Sequence, residues 1–220
     1  MSARSISAVI FDMDGVLIDS EHIWERVRRE YVPQHGGTYT ENITGDVMGM
    51  SAPEWAEYLR TKAGVKRTAQ QINDDVVGLV EASYRTQLPL FPGTISVIRR
   101  LAEHMPLAVA SSSNRTLIDL VLRLANLEKS FVATVSSEEV GRGKPAPDVY
   151  LRAAEKLGFP ATACGAVEDS SNGIRAAHAA GCYVVALPHP QFPPSQDALA
   201  LADVTLPGIA SVSAATFGLE

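Results

Sequence analysis

The sequence holds only two cysteines, Cys164 and Cys182, in 220 residues. Both sit in apolar, strand-like segments, so two reduced, buried thiols are expected rather than a disulfide framework. A chain of this length buries roughly 70% of its unfolded surface and needs neither disulfides nor a structural metal to hold a core. No apolar run approaches the ~18 residues of a membrane span. The stretch from Met1 to Ile6 leads straight into a short apolar run that ends at Asp12, too short for a signal peptide, so a cytoplasmic location is expected. There is no excess of positive charge: 19 basic residues stand against 25 acidic ones, for a net charge of −6. That balance excludes sequence-independent nucleic-acid binding, and an anionic ligand would have to be held by local groups or a metal. Repeats and low-complexity tracts are missing too. What remains, 46% hydrophobic and 20% charged residues, is globular composition and excludes a disordered or fibrous chain. A monomer acting on a small molecule is expected.

Continuous apolar runs mark candidate strands at Ala8–Phe11, Leu107–Ala110, Phe131–Val135, Cys164–Val167 and Tyr183–Leu187. Helical patterns fall between the later ones: Thr94 to His104, Thr116 to Leu127, Val149 to Leu157 closed by Gly158, and Ser170 to Ala180 closed by Gly181. Alternation of this kind predicts a doubly wound α/β fold with a parallel, Rossmann-like sheet. Residues 20–88 break the pattern. They carry helical stripes at Ile23, Val27 and Tyr31 and at Ile72, Val76, Val80 and Tyr84, and a capping box opens at Ser51-Ala52-Pro53-Glu54. The expectation is an all-helical cap domain (20–88) inserted into a core domain (1–19 plus 89–220), with hinges near Ile18–Ser20 and Leu88–Pro92.

Ligands of open α/β sheets bind at the carboxyl ends of the strands. There this chain places Asp12-Met13-Asp14-Gly15, Ser111-Ser112-Ser113, Gly143-Lys144-Pro145 and Glu168-Asp169. Each has an ordinary reading. Asp-Gly can be a turn, Ser111 to Ser113 with Asn114 a helix cap, Lys144 a solvated loop lysine, and Glu168-Asp169 an offset to a helix dipole. An EF-hand loop fails at Val16 and Leu17. Four such groups at successive strand ends are not explained by core packing. A carboxylate is ionised at pH 7 and is a competent nucleophile toward phosphorus without an activating base. One of Asp12 and Asp14 could attack while the other holds a proton or ligates a metal. Two aspartates with Asp169 would repel a phosphate unless a cation sat among them, and oxygen ligands at this density suit Mg²⁺. Lys144 would add positive charge, and Ser111 would hold phosphate oxygens.

Read together, Phe11-Asp12-Met13-Asp14-Gly15-Val16-Leu17-Ile18-Asp19-Ser20-Glu21, Val109-Ala110-Ser111-Ser112-Ser113, Gly143-Lys144-Pro145 and Val167-Glu168-Asp169-Ser170 resemble the four ordered motifs of the haloacid dehalogenase-like phosphohydrolases. The subgroup is similar to β-phosphoglucomutase and to sugar phosphatases with a helical cap. The resemblance implies a Rossmann-like core and Mg²⁺ as cofactor. It implies Asp12 as the nucleophile that forms an aspartyl-phosphate, and Asp14 as general acid/base that also offers a backbone carbonyl to the metal. Ser111, Ser112 and Lys144 become phosphate-binding residues. Asp12, Asp14 and Asp169 become the metal set, with Glu168 beside it. Of residues that could touch substrate, His22, Trp24 and Asn114 are the candidates. In the mutase, a histidine stands at the position of Trp24 and a phosphate-binding arginine near Ala52. Both are missing, so hydrolysis of sugar or polyol phosphates is expected over isomerisation. A catalytically silent binding protein on the same fold is a third reading, and the intact carboxylate set argues against it.

Overall fold

The computed structural model of the protein describes residues 5–219. The start of the chain from Met1 to Arg4, included in the signal-peptide reading, lies outside the described residues. The sheet contains β1 (Ala8–Phe11), β2 (Leu107–Ser111), β3 (Ala133–Ser136), β4 (Cys164–Glu168), β5 (Tyr183–Ala186) and β6 (Val204–Thr205). Every pairing is parallel, in the order β3-β2-β1-β4-β5-β6, so β1 is central. This is the α/β Rossmann-like architecture expected. The third strand starts two residues later than the apolar run, because Phe131 leaves the ladder to pack edge-on against Phe11 with ring centroids 6.3 Å apart. The two-residue β6 has no apolar run to announce it and escapes a reading based on periodicity.

Both faces of the sheet are covered, which is why its strands read as continuous apolar runs. Val9, Phe11, Val109 and Val167 point to one side, toward Val97, Ile98 and Leu101 of α5 (Thr94–Ala102) and Leu117, Leu120 and Val121 of α6 (Arg115–Leu124). Ala8, Ile10, Ala108, Ala110 and Ala166 point to the other. Small side chains there let α7 (Asp148–Leu157) and the alanine-rich α8 (Ser171–Ala180) approach closely, through Tyr150, Ala153, Ile174 and Ala177. Helices α7 and α8 end at Gly158 and Gly181, both left-handed, as the sequence indicates. Cys164 and Cys182 are buried, with no disulfide among the described residues. No helix of the described residues is long and apolar enough to cross a membrane.

Between β1 and α5 lie α1 (Glu21–Gln34), α2 (Asn42–Val47), α3 (Ala52–Thr61) and α4 (Ala69–Thr86). Ile23, Val27 and Tyr31 of α1 and Ile72, Val76, Val80 and Tyr84 of α4 are all buried, so each stripe faces the interior. At the start of α3 the Glu54 carboxylate accepts the Ser51 N–H at 2.8 Å, closing the predicted capping box. The chain enters and leaves this helical insertion side by side. Asp19 N–H donates to Pro89 carbonyl oxygen at 2.7 Å, and Phe91 N–H to Leu17 carbonyl oxygen at 3.2 Å. A short α9 (Gln196–Leu199) precedes β6.

Leu59 of α3 is fully buried among the helices of the insertion. Leu59→Ala should therefore cost about 2–5 kcal/mol, the range for truncating a buried leucine with incomplete collapse of the cavity. Urea unfolding checks this, and a loss below about 1 kcal/mol would show that the helices repack.

Candidate active site

The carboxyl ends of β1, β2 and β4 open on a cleft whose far wall is the helical insertion. Asp12 follows β1 directly, and its backbone N–H donates to Val167 carbonyl oxygen at 3.0 Å, so the ladder holds it. Met13 and Asp14 then enter a tight turn at Gly15, whose φ of +79° favours glycine. A Cβ at Gly15 would stand 1.9 Å from an Asp169 carboxylate oxygen, so the missing side chain is also what admits Asp169.

Lys144 ties the strand ends together. Its ammonium is buried and donates to Asp12 Oδ1 at 2.8 Å and to Glu168 Oε1 at 2.5 Å. Burial opposes its charge, but the two carboxylates outweigh burial and raise its pKa. Glu168 is fully buried and fully engaged. Tyr150 donates to Oε1 at 2.6 Å, while Oε2 accepts from Asp169 N–H at 3.1 Å and from the Ser170 hydroxyl at 3.2 Å. A Cβ at Gly173 would lie within about 2 Å of this carboxylate, so only glycine fits there.

Asp12, Glu168 and Asp169 bring carboxylate oxygens within 4.8 Å of one another. Burial, with the nearby charges of Glu168 and Asp14, raises Asp12 from 3.8 to about 7 despite Lys144. Burial, then Glu168 and Asp12, likewise push Asp169 well above the usual carboxylate range. Three carboxylates against one ammonium leave surplus negative charge and a purely oxygen donor set, which fits a hard divalent cation. With both Glu168 oxygens occupied by protein donors, Asp12 and Asp169 are the members with capacity for a cation. The Asp14 side chain stands outside this group. It accepts from Ser20 at 2.6 Å, from Ser113 at 2.6 Å and from Tyr84 at 3.4 Å.

Of the serines after β2, Ser111 is buried against the cleft, and its hydroxyl oxygen accepts Ser113 N–H at 3.0 Å. Ser112 also lines the cleft, but its hydroxyl donates to Gly49 carbonyl oxygen of the insertion at 3.0 Å, so it bridges the two sides. Trp24 is in the cleft wall, edge-to-face with Trp55 at 5.9 Å. His22 and Asn114 correct the expectation. His22 is mostly exposed and lines a different groove with Arg26 and Leu79, because its position on α1 is turned about 100° away from that of Glu21. Asn114 is buried away from the cleft, with its amide donating to Asn73 of α4 at 3.1 Å and to Glu138 at 2.7 Å. It fastens the insertion to the core instead of reaching substrate.

The cleft also has residues that the sequence alone did not single out. Glu21 and Arg28 line it from α1, and His189 lines it from the loop after β5, 3.5 Å from Asp19. Arg28 is a second cation of the cleft besides Lys144, and its guanidinium is paired with the Glu21 carboxylate at 3.3 Å. The available signal was spacing: Glu21, Trp24 and Arg28 stand at i, i+3 and i+7, on one face of a helix.

Residues 6–181 match the family described as haloacid dehalogenase-like hydrolase. The chain belongs to that family. It is 32% identical to hexitol phosphatase B of Escherichia coli over 216 residues, 96% of this chain and 96% of that protein. It is 31% identical to a Drosophila melanogaster protein named "Probable pseudouridine-5'-phosphatase", covering 98% of this chain and 95% of that one. The crystal structure of CbbY from Rhodobacter sphaeroides in complex with phosphate superposes with a TM-score of 0.85 at 25% identity, covering 97% of this chain and all of that one. The protein is thus an enzyme, a phosphatase of the haloacid dehalogenase-like hydrolases. That family generally uses a divalent metal, in keeping with the buried acidic group.

The raised pKa of Asp12 has a thermodynamic signature. A carboxyl that binds its proton more tightly when folded stabilises the fold fully below its unfolded value of 3.8, and that contribution is lost as pH rises through about 7. In chelator, wild type should lose stability relative to Asp12→Asn between about pH 4 and pH 8. Added Mg²⁺ should raise wild-type stability more at the alkaline end, where the carboxylates are ionised. Thermal unfolding across pH measures both effects, and superimposable profiles for the two proteins would show that Asp12 is unperturbed.

Proposed function

We propose that the protein is a Mg²⁺-dependent phosphomonoesterase that hydrolyses sugar or polyol phosphates through an aspartyl-phosphate on Asp12. The observation that carries this reading is the buried Lys144 ammonium, which holds one oxygen of Asp12 beside Asp169 at the floor of the cleft. The names of the relatives, hexitol phosphatase B among them, support the substrate class. Asp12 and Asp169 would hold Mg²⁺, with Glu168 orienting Lys144 next to them. When bound, Mg²⁺ supplies positive charge that offsets the phosphoryl oxygens and the carboxylates.

Lys144 orients Asp12 and gives the transferring phosphoryl group one fixed positive charge. Ser111, whose hydroxyl lines the cleft, would donate to a phosphoryl oxygen. In the first step, an Asp12 oxygen attacks phosphorus and the bond from phosphorus to the ester oxygen breaks. Asp14 enters this step in its protonated form, hands that proton to the departing alkoxide and is left as a carboxylate. In the second step, Asp14 takes a proton from water, the water oxygen attacks phosphorus, and the bond to Asp12 breaks to release inorganic phosphate. To serve in both steps, Asp14 must exchange one of its serine or tyrosine partners for the ester oxygen or the water. The insertion, residues 20–88, acts as a cap domain on the core of 1–19 plus 89–220 and excludes competing water when closed.

Phosphate release from hexitol phosphates tests the reading. Wild type should release phosphate, chelator should stop it, and Asp12→Asn should abolish it while the far-UV spectrum stays native. Undiminished release by Asp12→Asn would refute the nucleophile. Asp14→Ala should cost about 10²–10⁴-fold on alkyl phosphates and less on an aryl phosphate, whose leaving group needs less protonation. Equal losses in kcat on both would remove Asp14 from the acid role.

A further inference from the structure

Glu21 and Arg28 are charged groups of the cleft that the phosphoryl chemistry does not use. Arg28 is 5% exposed, and its Nη1 donates to Glu21 Oε1 at 3.3 Å. Its guanidinium carbon lies 5.3 Å from the centre of the Trp24 ring, which in turn meets Trp55. The Arg28 Nε–H is buried and has no hydrogen-bond partner. Buried donors of a charged group are rarely left unpaired, because the lost hydration is not recovered. Both residues project from α1 into the same cleft as Asp12, Asp14 and Lys144, but on the cap side, where the group beyond the ester oxygen would lie.

We propose that Arg28 and Glu21 form the subsite for the leaving group of the ester, and that this pair selects a neutral, hydroxyl-bearing group while rejecting one with a second phosphate or carboxylate. The inference rests on the phosphatase reading above and names which phosphate esters the site takes. The pair offers one free donor at Nε and an acceptor at the Glu21 carboxylate, the complement of adjacent hydroxyls on a polyol chain. Trp24 and Trp55 line the same cleft and add apolar surface for the C–H side of such a chain. The charge balance argues against an anionic group. The Arg28 charge is already met by Glu21, and Asp14 and Asp19 line the same cleft. Burial raises the Glu21 pKa despite the pull of Arg28, and the Asp14 charge adds to the rise. A second phosphate placed here would meet Glu21 at close range with one shared cation between them.

Initial rates on three esters provide the test: a hexitol 6-phosphate, the corresponding hexitol 1,6-bisphosphate and phenyl phosphate. Wild type should favour the monophosphate over the bisphosphate in kcat/KM by at least about tenfold. Glu21→Gln keeps the shape but frees the Arg28 charge, so the ratio of bisphosphate to monophosphate should rise by at least about tenfold. Arg28→Gln should lower the ratio of hexitol phosphate to phenyl phosphate. If wild type hydrolyses the esters but prefers the bisphosphate or phenyl phosphate, the inference fails and the phosphatase reading stands. An unchanged ratio in a folded Glu21→Gln also overturns it. Should that variant not fold, the wild-type preference alone decides. Phosphate release from none of the three esters would remove the phosphatase reading and the inference together.

Discussion

The buried ammonium of Lys144 is the point on which the site depends. It is held by the ends of two adjacent strands, Asp12 beyond β1 and Glu168 at the end of β4, and it neutralises neither completely. A buried ion pair is an uncertain source of stability, because desolvation can exceed the attraction. Here the network is completed by Tyr150, Ser170 and backbone N–H groups, which leaves Glu168 with no unmet hydrogen-bonding capacity while Asp12 and Asp169 remain under-neutralised. The fold thus concentrates its uncompensated charge on the two carboxylates that face the cleft.

The helical insertion and the strand ends meet at Asp14. Ser20 reaches it from the segment entering the insertion, Ser113 from the loop after β2, and Tyr84 from α4. Burial and the Asp14 charge keep the Tyr84 hydroxyl protonated well beyond its usual range, so it remains a donor to the carboxylate. Ser112 with Gly49 and Asn114 with Asn73 add two more bonds across the same seam. The group proposed for proton transfer is therefore the one whose surroundings change most if the insertion moves, whereas Asp12 and Lys144 are held at the strand ends.

What the sequence made legible follows from how each feature is encoded. Strands β1, β2 and β4 are apolar on both faces and short, and their polar termini stand out as contiguous motifs, so Asp12, Ser111 and Asp169 could be singled out without knowing any contact, and Lys144 through Gly143-Lys144-Pro145 in the loop after β3. Contacts across the seam between the insertion and the core are different in kind. Tyr84 bonds Asp14 across 70 positions and Asn114 meets Asn73 across 41, and no local pattern reports such pairs. Tyr84 also belongs to a regular apolar stripe, so periodicity alone makes it a core residue. For His22 the error was rotational: one step along a helix separates Glu21, which faces the cleft, from His22, which faces outward.

The paired ends of the helical insertion bear on how such an enzyme can change. Asp19 and Pro89 are hydrogen-bonded to each other, so the core experiences nearly seventy residues of added chain as it would a tight turn. Closing the junction costs no more for a long insert than for a short one, provided the insert folds on its own contacts and returns to the same pair of backbone groups. The junction is therefore a grafting point. Helices there can be lengthened, shortened or exchanged wholesale, and the strand ends that hold Asp12, Lys144 and Asp169 keep their register because none of their ladder bonds passes through the exchanged segment.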